Sequence, residues 1–306
     1  MYNIWKKIEK IAKHIFPLSW GIAVSRFTEL PSKLNEMEVN LQTLGLALLQ
    51  QEYESSSGRP EINKYEVKVY SQNGEDGILL YIFSKISTTN RCFVEFGMGD
   101  GKECNTANLS INFGWHGLLM DGDSYRVAVA KRYYKNKLGT GLASIKIIDC
   151  TVTMENINQV FLNAGIEGEI DLLSIDIDGN DYWIWKAITV ITPRVVIIEY
   201  NASFGPEKSL TVKYDPKFDK YKKHPSCLYH GASLAALTKL ANLKGYALVG
   251  CDSTGINAFF VKKSIIHNNL TELSVKEAYF QHSRRTDELS TFKQFECFKH
   301  LDFDYV

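Results

Sequence analysis

The stretch Phe93-Val-Glu-Phe-Gly-Met-Gly-Asp-Gly101 decides the fold prediction. Its first residues are apolar, β-branched or aromatic, and they are typical of a buried strand that ends near Glu95. Three glycines follow at alternate positions, and they allow the backbone to turn tightly and to approach a ligand closely. The spacing G-x-G-x-G differs from the dinucleotide pattern G-x-G-x-x-G, and the absence of a following G-K-[ST] excludes a P-loop. We therefore predict a strand that leads into a ligand-binding turn.

Apolar runs alternate with stretches of helical length on either side of this motif. The predicted strands are residues 91–96, 117–121, 143–148, 170–176 and 194–200, and the predicted helices are residues 124–134, 154–164, 182–190 and Leu234–Leu243. Such alternation is typical of a parallel sheet with helices on both faces. Residues 246–250 and 257–261 flank a turn-rich segment, which indicates an antiparallel hairpin. We predict an α/β fold with a Rossmann-like, doubly wound, mainly parallel seven-stranded sheet and a C-terminal antiparallel hairpin.

Composition excludes several classes of protein. The 306 residues are 45% apolar and 23% charged, with 35 Lys and Arg against 35 Asp and Glu. A formal charge of zero argues against a general nucleic-acid binder, because phosphate neutralisation needs a surplus of Lys and Arg. The six cysteines show no C-x-x-C spacing, which favours reduced thiols over a zinc site or a disulfide framework. No apolar run approaches the roughly 18 residues of a membrane span, and we expect a cytoplasmic chain.

The first 60 residues have a different pattern and predict a helical extension. Ile4, Ile8, Ile11 and Ile15 form a helical stripe with lysines on the other faces. Residues 1–16 therefore predict either peripheral contact with the inner face of a membrane or packing against the protein or a partner subunit. Residues 34–48 carry a stripe of about two heptads, which indicates a helix hairpin or a homo-oligomer contact.

Three parts of the chain follow from these patterns. A linker-like Ser-Ser-Ser-Gly-Arg-Pro stretch at residues 55–60 ends the helical extension. We predict that the Rossmann-like domain covers residues 61–264. A partly helical, aromatic tail covers residues 265–306.

Polar side chains follow four of the predicted strands. They are Glu95, Asp121, the pair Asp149 and Cys150, and Asp176. Because the carboxyl ends of parallel strands meet at one edge of a sheet, these groups predict a single crevice for a nucleoside-type ligand. A carboxylate after the second strand is suited to a ribose diol, and the residues after the third strand are placed to border an adenine ring.

These residues resemble class I methyltransferases that use S-adenosylmethionine, and most closely the FkbM-type group, many of whose members methylate sugar hydroxyls. The resemblance rests on residues 95–101, Asp121 and the stretch Asp171-Leu-Leu-Ser-Ile-Asp-Ile-Asp-Gly-Asn-Asp181, and it covers about residues 68–262. It implies S-adenosylmethionine as cofactor. The cofactor-binding residues that it implies are Gln72, Glu95, Gly97, Gly99, Asp121, Asp149, Cys150 and Asp176.

The resemblance assigns separate parts of the cofactor to these residues. Glu95, Gly97 and Gly99 would contact the methionine part, and Asp121 would hold the ribose. Asp149 and Cys150 would flank adenine. Gln72 lies in a Ser-Gln-Asn-Gly-Glu-Asp-Gly stretch that is similar to a signature before the first strand in this group, so it would border the site.

The acidic run from Asp176 to Asp181 has two interpretations. Strand alternation places Asp176 and Asp178 on one side, which suits a hard cation, and Asp176, Glu199 and Asn201 form a candidate Mg²⁺ set. Alternatively, these acids cap the following helix and bind substrate hydroxyls. The FkbM-type group usually has Glu-Gly where this chain has Asp178-Gly179, which leaves the metal question open.

A sugar hydroxyl needs a base or a cation before it can attack the methyl group. Asp178 and His230 are the candidate bases. The long segment between residues 201 and 229 is rich in tyrosines and lysines, which favours either a glycan or lipid-linked glycan acceptor or a solvated charged loop.

We therefore predict an S-adenosylmethionine-dependent methyltransferase, most readily an O-methyltransferase of a polysaccharide or glycoside. Two alternatives remain at this point. Asp176-Ile-Asp178 matches the D-x-D of metal-dependent glycosyltransferases, and a non-catalytic Rossmann-like scaffold would share the same fold.

Overall fold

The computed structural model describes residues 62–139, 144–266 and 270–306. The predicted helical extension, its membrane contact through residues 1–16 and its oligomer contact lie outside the described residues. The three-part division of the chain at residues 60 and 264 likewise stays a prediction.

A seven-stranded sheet forms the centre of the described part. Its strands are β1 Cys92–Phe96, β2 His116–Asp121, β3 Ile145–Asp149, β4 Gly168–Ile175, β5 Ile191–Glu199, β7 Tyr246–Cys251 and β8 Asn257–Lys262. Strand β6, Leu210–Val212, belongs to a separate sheet. The spatial order is β3-β2-β1-β4-β5-β8-β7. The first five strands pair in parallel, whereas β8 is antiparallel to both β5 and β7. The predicted Rossmann-like sheet with its C-terminal hairpin is confirmed.

Helices connect the strands and cover the sheet. They are α1 Glu75–Ile86, α2 Ala107–Asn112, α3 Ser124–Leu138, α4 Ile157–Asn163, α5 Asp181–Ala187, α6 Lys220–Lys223, α7 Leu234–Leu243, α8 Lys263–Ile266, α9 Val275–Ala278, α10 Ser283–Glu288 and α11 Thr291–Phe298. Two short 3₁₀ turns lie at Ile62–Tyr65 and Ala202–Phe204. No helix in the described ranges is long and apolar enough to cross a membrane.

The central strands are buried on both faces, which explains their continuous apolar sequence. All five residues of β1 are buried, and β4 and β5 are buried along most of their length. Arg194 of β5 makes a buried ion pair with Asp171 of β4, with 3.0 Å between Nη1 and Oδ1. The Asp171 carboxylate also accepts hydrogen bonds from the backbone N–H groups of Thr89, Asn90 and Arg91, so it fixes the entry to β1.

The C-terminal tail packs back onto the segment that follows β5. Strand β9, Phe303–Tyr305, pairs with β6, Leu210–Val212, to form a separate two-stranded sheet. An aromatic cluster forms beneath this pair, and its buried members include Phe204, Tyr229 and Phe298. The segment between β5 and α7 is therefore folded structure that contains β6 and α6, with the tail packed against it.

Candidate functional site

A cavity of about 570 Å³ lies at the carboxyl ends of β1, β2, β4 and β5. One end is lined by Asp121 and Cys150, and the other by Asp176, Glu199 and Lys220. This is the edge at which open α/β sheets bind ligands, and the volume is within the range of small-molecule sites.

The glycine-rich turn forms one wall of this cavity and depends on its glycines. Gly97 has a φ of 81°, and a Cβ at this position would lie 1.5 Å from the carbonyl oxygen of Asp176. Gly99 has a φ of 58° and donates its N–H to Asp121 Oδ2 at 2.8 Å. The turn from β1 is thus packed directly onto the end of β4 and tied to the end of β2, as close backbone approach requires.

Asp121 lines the cavity and organises its own surroundings. Its two carboxylate oxygens accept the N–H groups of Gly99 and Asp123, each at 2.8 Å. Each oxygen keeps a further lone pair for a ligand. The position suits the diol-binding role that the resemblance implies.

Glu95 is buried in the cavity lining, and both of its oxygens have protein partners. They accept the N–H groups of Asn105 and Thr106 at 2.9 and 3.0 Å, just before α2. Ser174 Oγ donates to the same carboxylate at 3.3 Å. Burial raises the pKa of Glu95 despite these hydrogen bonds. The arrangement gives Glu95 a clear role in holding the loop after the glycines.

Gln72 lies at the same cavity beside the start of α1. The signature around it has a structural function, because Asp76 Oδ2 accepts the N–H groups of Val69, Tyr70 and Ser71 at 2.7 to 2.9 Å. Glu75 Oε1 accepts Asn257 Nδ2 at 2.8 Å, which ties α1 to β8. The hydrogen bonds hold the segment that carries Gln72 in place.

The two residues predicted to flank adenine separate in the structure. Cys150 lines the cavity, and its N–H donates to the Asp121 carbonyl oxygen at 2.9 Å. Asp149 is exposed, is not part of the lining, and accepts a hydrogen bond from Ser124 Oγ. The side chain of Asp149 thus contacts the start of α3, and its role as a cofactor contact stays a prediction.

Four carboxylates crowd the opposite end of the cavity. Asp176, Asp178 and Glu199 line it, and Asp181 lies behind them with its oxygens accepting the N–H groups of Ile177 and Gly179. One ammonium group balances part of this charge, because Lys220 pairs with Asp178 and its side chain is only 17% exposed. Phe218 from the same segment packs on Gly179.

Burial and mutual repulsion perturb these acids strongly. Burial raises the pKa of Glu199 well above its usual value, and the charges of Asp176, Asp178 and Asp181 raise it further. The pKa of Asp176 is raised in the same way. Lys220 opposes both shifts without cancelling them. Perturbed carboxyl groups of this kind are typical of reactive sites.

Two predicted site residues lie behind the cavity wall. His230 is 1% exposed and is not part of the lining, and burial lowers its pKa well below the usual value. Its Nε2 faces Arg285 Nη2 at 3.2 Å. The ring is not part of the cavity lining, and the assignment of His230 as a base stays a prediction.

Asn201 is likewise withdrawn from the cavity. Its amide donates to the carbonyl oxygens of Leu228 and His230 at 2.7 and 2.9 Å, and its oxygen accepts from Ser203 N and Arg285 Nη1. The predicted Mg²⁺ set of Asp176, Glu199 and Asn201 is therefore not assembled.

Other combinations of potential ligand atoms lie within 4.8 Å of one another, namely Asp178, Glu199 and His230, and Asp176, Asp181 and Glu199. Asp178 is paired with Lys220, and both Asp181 oxygens accept backbone N–H groups. A guanidinium only donates, so Arg285 leaves the ring proton of neutral His230 on Nδ1, where it blocks the lone pair that a metal needs. The donor chemistry fits the fixed ammonium of Lys220 better than a divalent cation.

Several residues at the site could not be found from local sequence patterns. Asn257 and Lys220 reach the cavity from distant segments, and Arg285 reaches His230 from the tail. The lysine-rich composition around residue 220 indicated ligand contacts only in general terms.

Comparisons with known proteins give similarity at the level of fold alone. No family model matches the chain, and no curated protein matches it. Many solved structures do match. The N-terminal domain of EvdMO1 with SAH bound is 11% identical over 62% of this chain and 80% of that chain, with a TM-score of 0.39.

Two further matches have the same character. A SAM-dependent methyltransferase from Aquifex aeolicus is 10% identical over 60% of this chain and 89% of that chain, with a TM-score of 0.36. A human methyltransferase 10 domain containing protein is 14% identical over 72% and 92%, with a TM-score of 0.38. This chain has a Rossmann-like strand order. Its activity has to be argued from the site.

Proposed function

We propose that this protein is an S-adenosylmethionine-dependent methyltransferase that acts on a hydroxyl group, most readily of a polysaccharide or glycoside. One observation carries the proposal. Asp121, the Gly97–Gly99 turn and the carboxylates of Asp176 and Glu199 line a single cavity at the carboxyl edge of the sheet. Such a cavity offers a diol-binding carboxylate at one end and negative charge for a sulfonium at the other.

The acceptor would enter beside Lys220 and Phe218, at the acidic end of the cavity. Tyr214 and Tyr221 of the same segment could stack on sugar faces, and its lysines suit a phosphate of a lipid-linked glycan. Glycan specificity and membership of the FkbM-type group rest on the sequence resemblance.

A D-x-D glycosyltransferase is the second candidate, but the contacts of Asp178 count against it. A D-x-D site needs its aspartates free to hold a divalent cation and a diphosphate, whereas Asp178 is paired with Lys220. The non-catalytic scaffold remains the third candidate.

Ligand-dependent thermal stabilisation separates these candidates. We expect S-adenosylhomocysteine to raise the melting temperature, and UDP or GDP with Mn²⁺ to leave it unchanged. The reverse result would favour the glycosyltransferase, and no response to either ligand would favour the scaffold.

Incubation with methyl-labelled S-adenosylmethionine and glycan extracts then tests the acceptor class. We expect label in an alkali-stable glycan fraction, with the same amount in the presence of EDTA. Label confined to protein or lipid without sugar would contradict the glycan assignment, and loss of labelling in EDTA would contradict the metal-independent site.

A further inference from the structure

Glu199, at the acidic end of the cavity, has a carboxylate oxygen without a hydrogen-bond partner among the described residues. Its Oε2 is buried and, among the residues the structure describes, has no hydrogen-bond partner. Two of the other acids are engaged, because Asp178 pairs with Lys220 and Asp181 accepts two backbone N–H groups. A buried, unpaired carboxylate oxygen at a cavity is costly and needs an explanation.

His230 faces this oxygen from behind the cavity wall. Its Nδ1 lies 3.7 Å from Glu199 Oε2, and within the described ranges it too has no hydrogen-bond partner. Arg285 can only donate to Nε2, which leaves the ring proton on Nδ1, directed at the carboxylate. At 3.7 Å the two atoms lie just beyond hydrogen-bonding distance.

A chain of contacts thus joins the C-terminal tail to the cavity, and it runs from Arg285 through His230 to Glu199. Arg285 also donates to Asn201 Oδ1 at 3.3 Å, and Asn201 holds the carbonyl oxygens on either side of Tyr229. The network fixes the position of the His230 ring, so the ring can orient the Glu199 carboxylate from one side.

We infer that Glu199 takes the proton of the acceptor hydroxyl during methyl transfer, and that His230 and Arg285 are its positioning residues. This inference rests on the proposed function. In the step, the sulfur–methyl bond breaks with its electron pair kept by sulfur, and the acceptor oxygen bonds to the methyl group. The O–H bond breaks and its proton moves to Oε1 of Glu199, the carboxylate oxygen that is not turned towards His230, so one carboxylate is neutralised as one sulfonium charge disappears.

The cofactor charge and the proton on Glu199 are therefore linked. The groups that face Glu199 are Asp176, Asp178, Asp181, Lys220, His230 and Arg285. Burial and the three aspartates favour the protonated form of Glu199 before a cation arrives. A sulfonium placed at this end of the cavity favours the carboxylate and expels the proton, whereas the neutral thioether of S-adenosylhomocysteine does not.

Titration calorimetry near pH 7, in two buffers with different ionisation enthalpies, counts the protons released on binding. We expect up to about one proton per S-adenosylmethionine bound, and close to none for S-adenosylhomocysteine. Glu199→Gln should reduce this release at least about threefold, while Glu167→Gln, the same change at an exposed residue away from the cavity, should leave it unchanged.

Each outcome decides a different claim. The assignment of Glu199 is overturned if Glu199→Gln releases as many protons as wild type, or if Asp176→Asn abolishes the release instead. It is also overturned if S-adenosylmethionine and S-adenosylhomocysteine release equal numbers of protons. Failure of the wild-type chain to bind S-adenosylmethionine overturns the proposed function itself.

The positioning role of His230 has a separate readout. His230→Leu removes the donor and should raise the pH midpoint of proton release by about one unit, whereas His230→Asn keeps a nitrogen near the Nδ1 position and should stay close to wild type. A midpoint that is unchanged in His230→Leu, whatever the effect on melting temperature, would show that the ring has only a packing role.

Discussion

Substitution of Asp121 by asparagine is the most direct perturbation of the proposed cofactor site. The carboxylate lines the cavity and accepts the N–H groups of Gly99 and Asp123, each at 2.8 Å. Asparagine has the same shape, but it offers one neutral oxygen in place of two charged ones. One charge-assisted hydrogen bond to a ribose hydroxyl is lost, and the N–H of Gly99 or of Asp123 loses its acceptor.

The expected loss of binding follows from these contacts. A hydrogen bond to a charged group contributes about 1.5–3 kcal/mol, which corresponds to a decrease of about 10- to 150-fold in affinity for S-adenosylhomocysteine. Calorimetry measures this affinity, and circular dichroism checks that the fold is kept.

Asp123→Asn is the matched control, because Asp123 caps α3 by accepting from Tyr125 N and Arg126 N and is not part of the cavity lining. Asparagine is as good a helix cap as aspartate, so we expect an affinity within about twofold of wild type. A folded Asp121→Asn variant with wild-type affinity would refute the cofactor geometry.

Three further predictions concern the turn, the core and the acid range. Gly97→Ala should lower the free energy of unfolding in urea by about 2 kcal/mol or more, because its Cβ would lie 1.5 Å from the Asp176 carbonyl oxygen. Gly99→Ala should lower it by about 1 kcal/mol, since a Cβ there has nothing within 4 Å. Equal losses for the two variants would contradict the close approach of Gly97 to Asp176. Arg194→Met should cost about 3 kcal/mol in the same assay, since it leaves buried Asp171 without its counter-charge, and a loss below about 1 kcal/mol would be inconsistent with this ion pair. Burial and Arg285 lower the pKa of His282 to about 4, so the stability that neutral His282 contributes is complete above about pH 6.5 and is lost as the pH falls towards 4. The urea midpoint of wild type should therefore fall more between pH 7 and pH 5 than the midpoint of His282→Gln. Equal decreases in the two proteins would contradict the lowered pKa of His282.

The sheet could be predicted because its strands are buried on both faces. Such strands appear in the sequence as continuous apolar runs, and the observed strand β1, Cys92–Phe96, differs from the predicted run by one residue. The glycines at 97 and 99 were also informative, because the backbone conformation after β1 requires them. The tail could not be placed, since β9 forms only by pairing with β6, about 90 residues earlier in the chain.

The candidate site could be predicted in part. Gln72, Glu95, Gly97, Gly99, Asp121, Cys150, Asp176, Asp178 and Glu199 all line the cavity, although their roles stay predictions. Asp149 and Asn201 also lie at strand ends, but the direction of a side chain there depends on the following turn, which strand alternation does not specify. His230 follows no strand and was chosen for its chemistry alone. The contacts of Lys220 and Arg285 join segments far apart in sequence and have no local signature.

The structure of the complex with S-adenosylhomocysteine tests the central claim most directly. The account predicts ribose hydroxyls within hydrogen-bonding distance of the Asp121 carboxylate, and a sulfur atom directed towards Asp176 and Glu199. A ligand bound elsewhere, or bound in this cavity with its ribose away from Asp121, would contradict it.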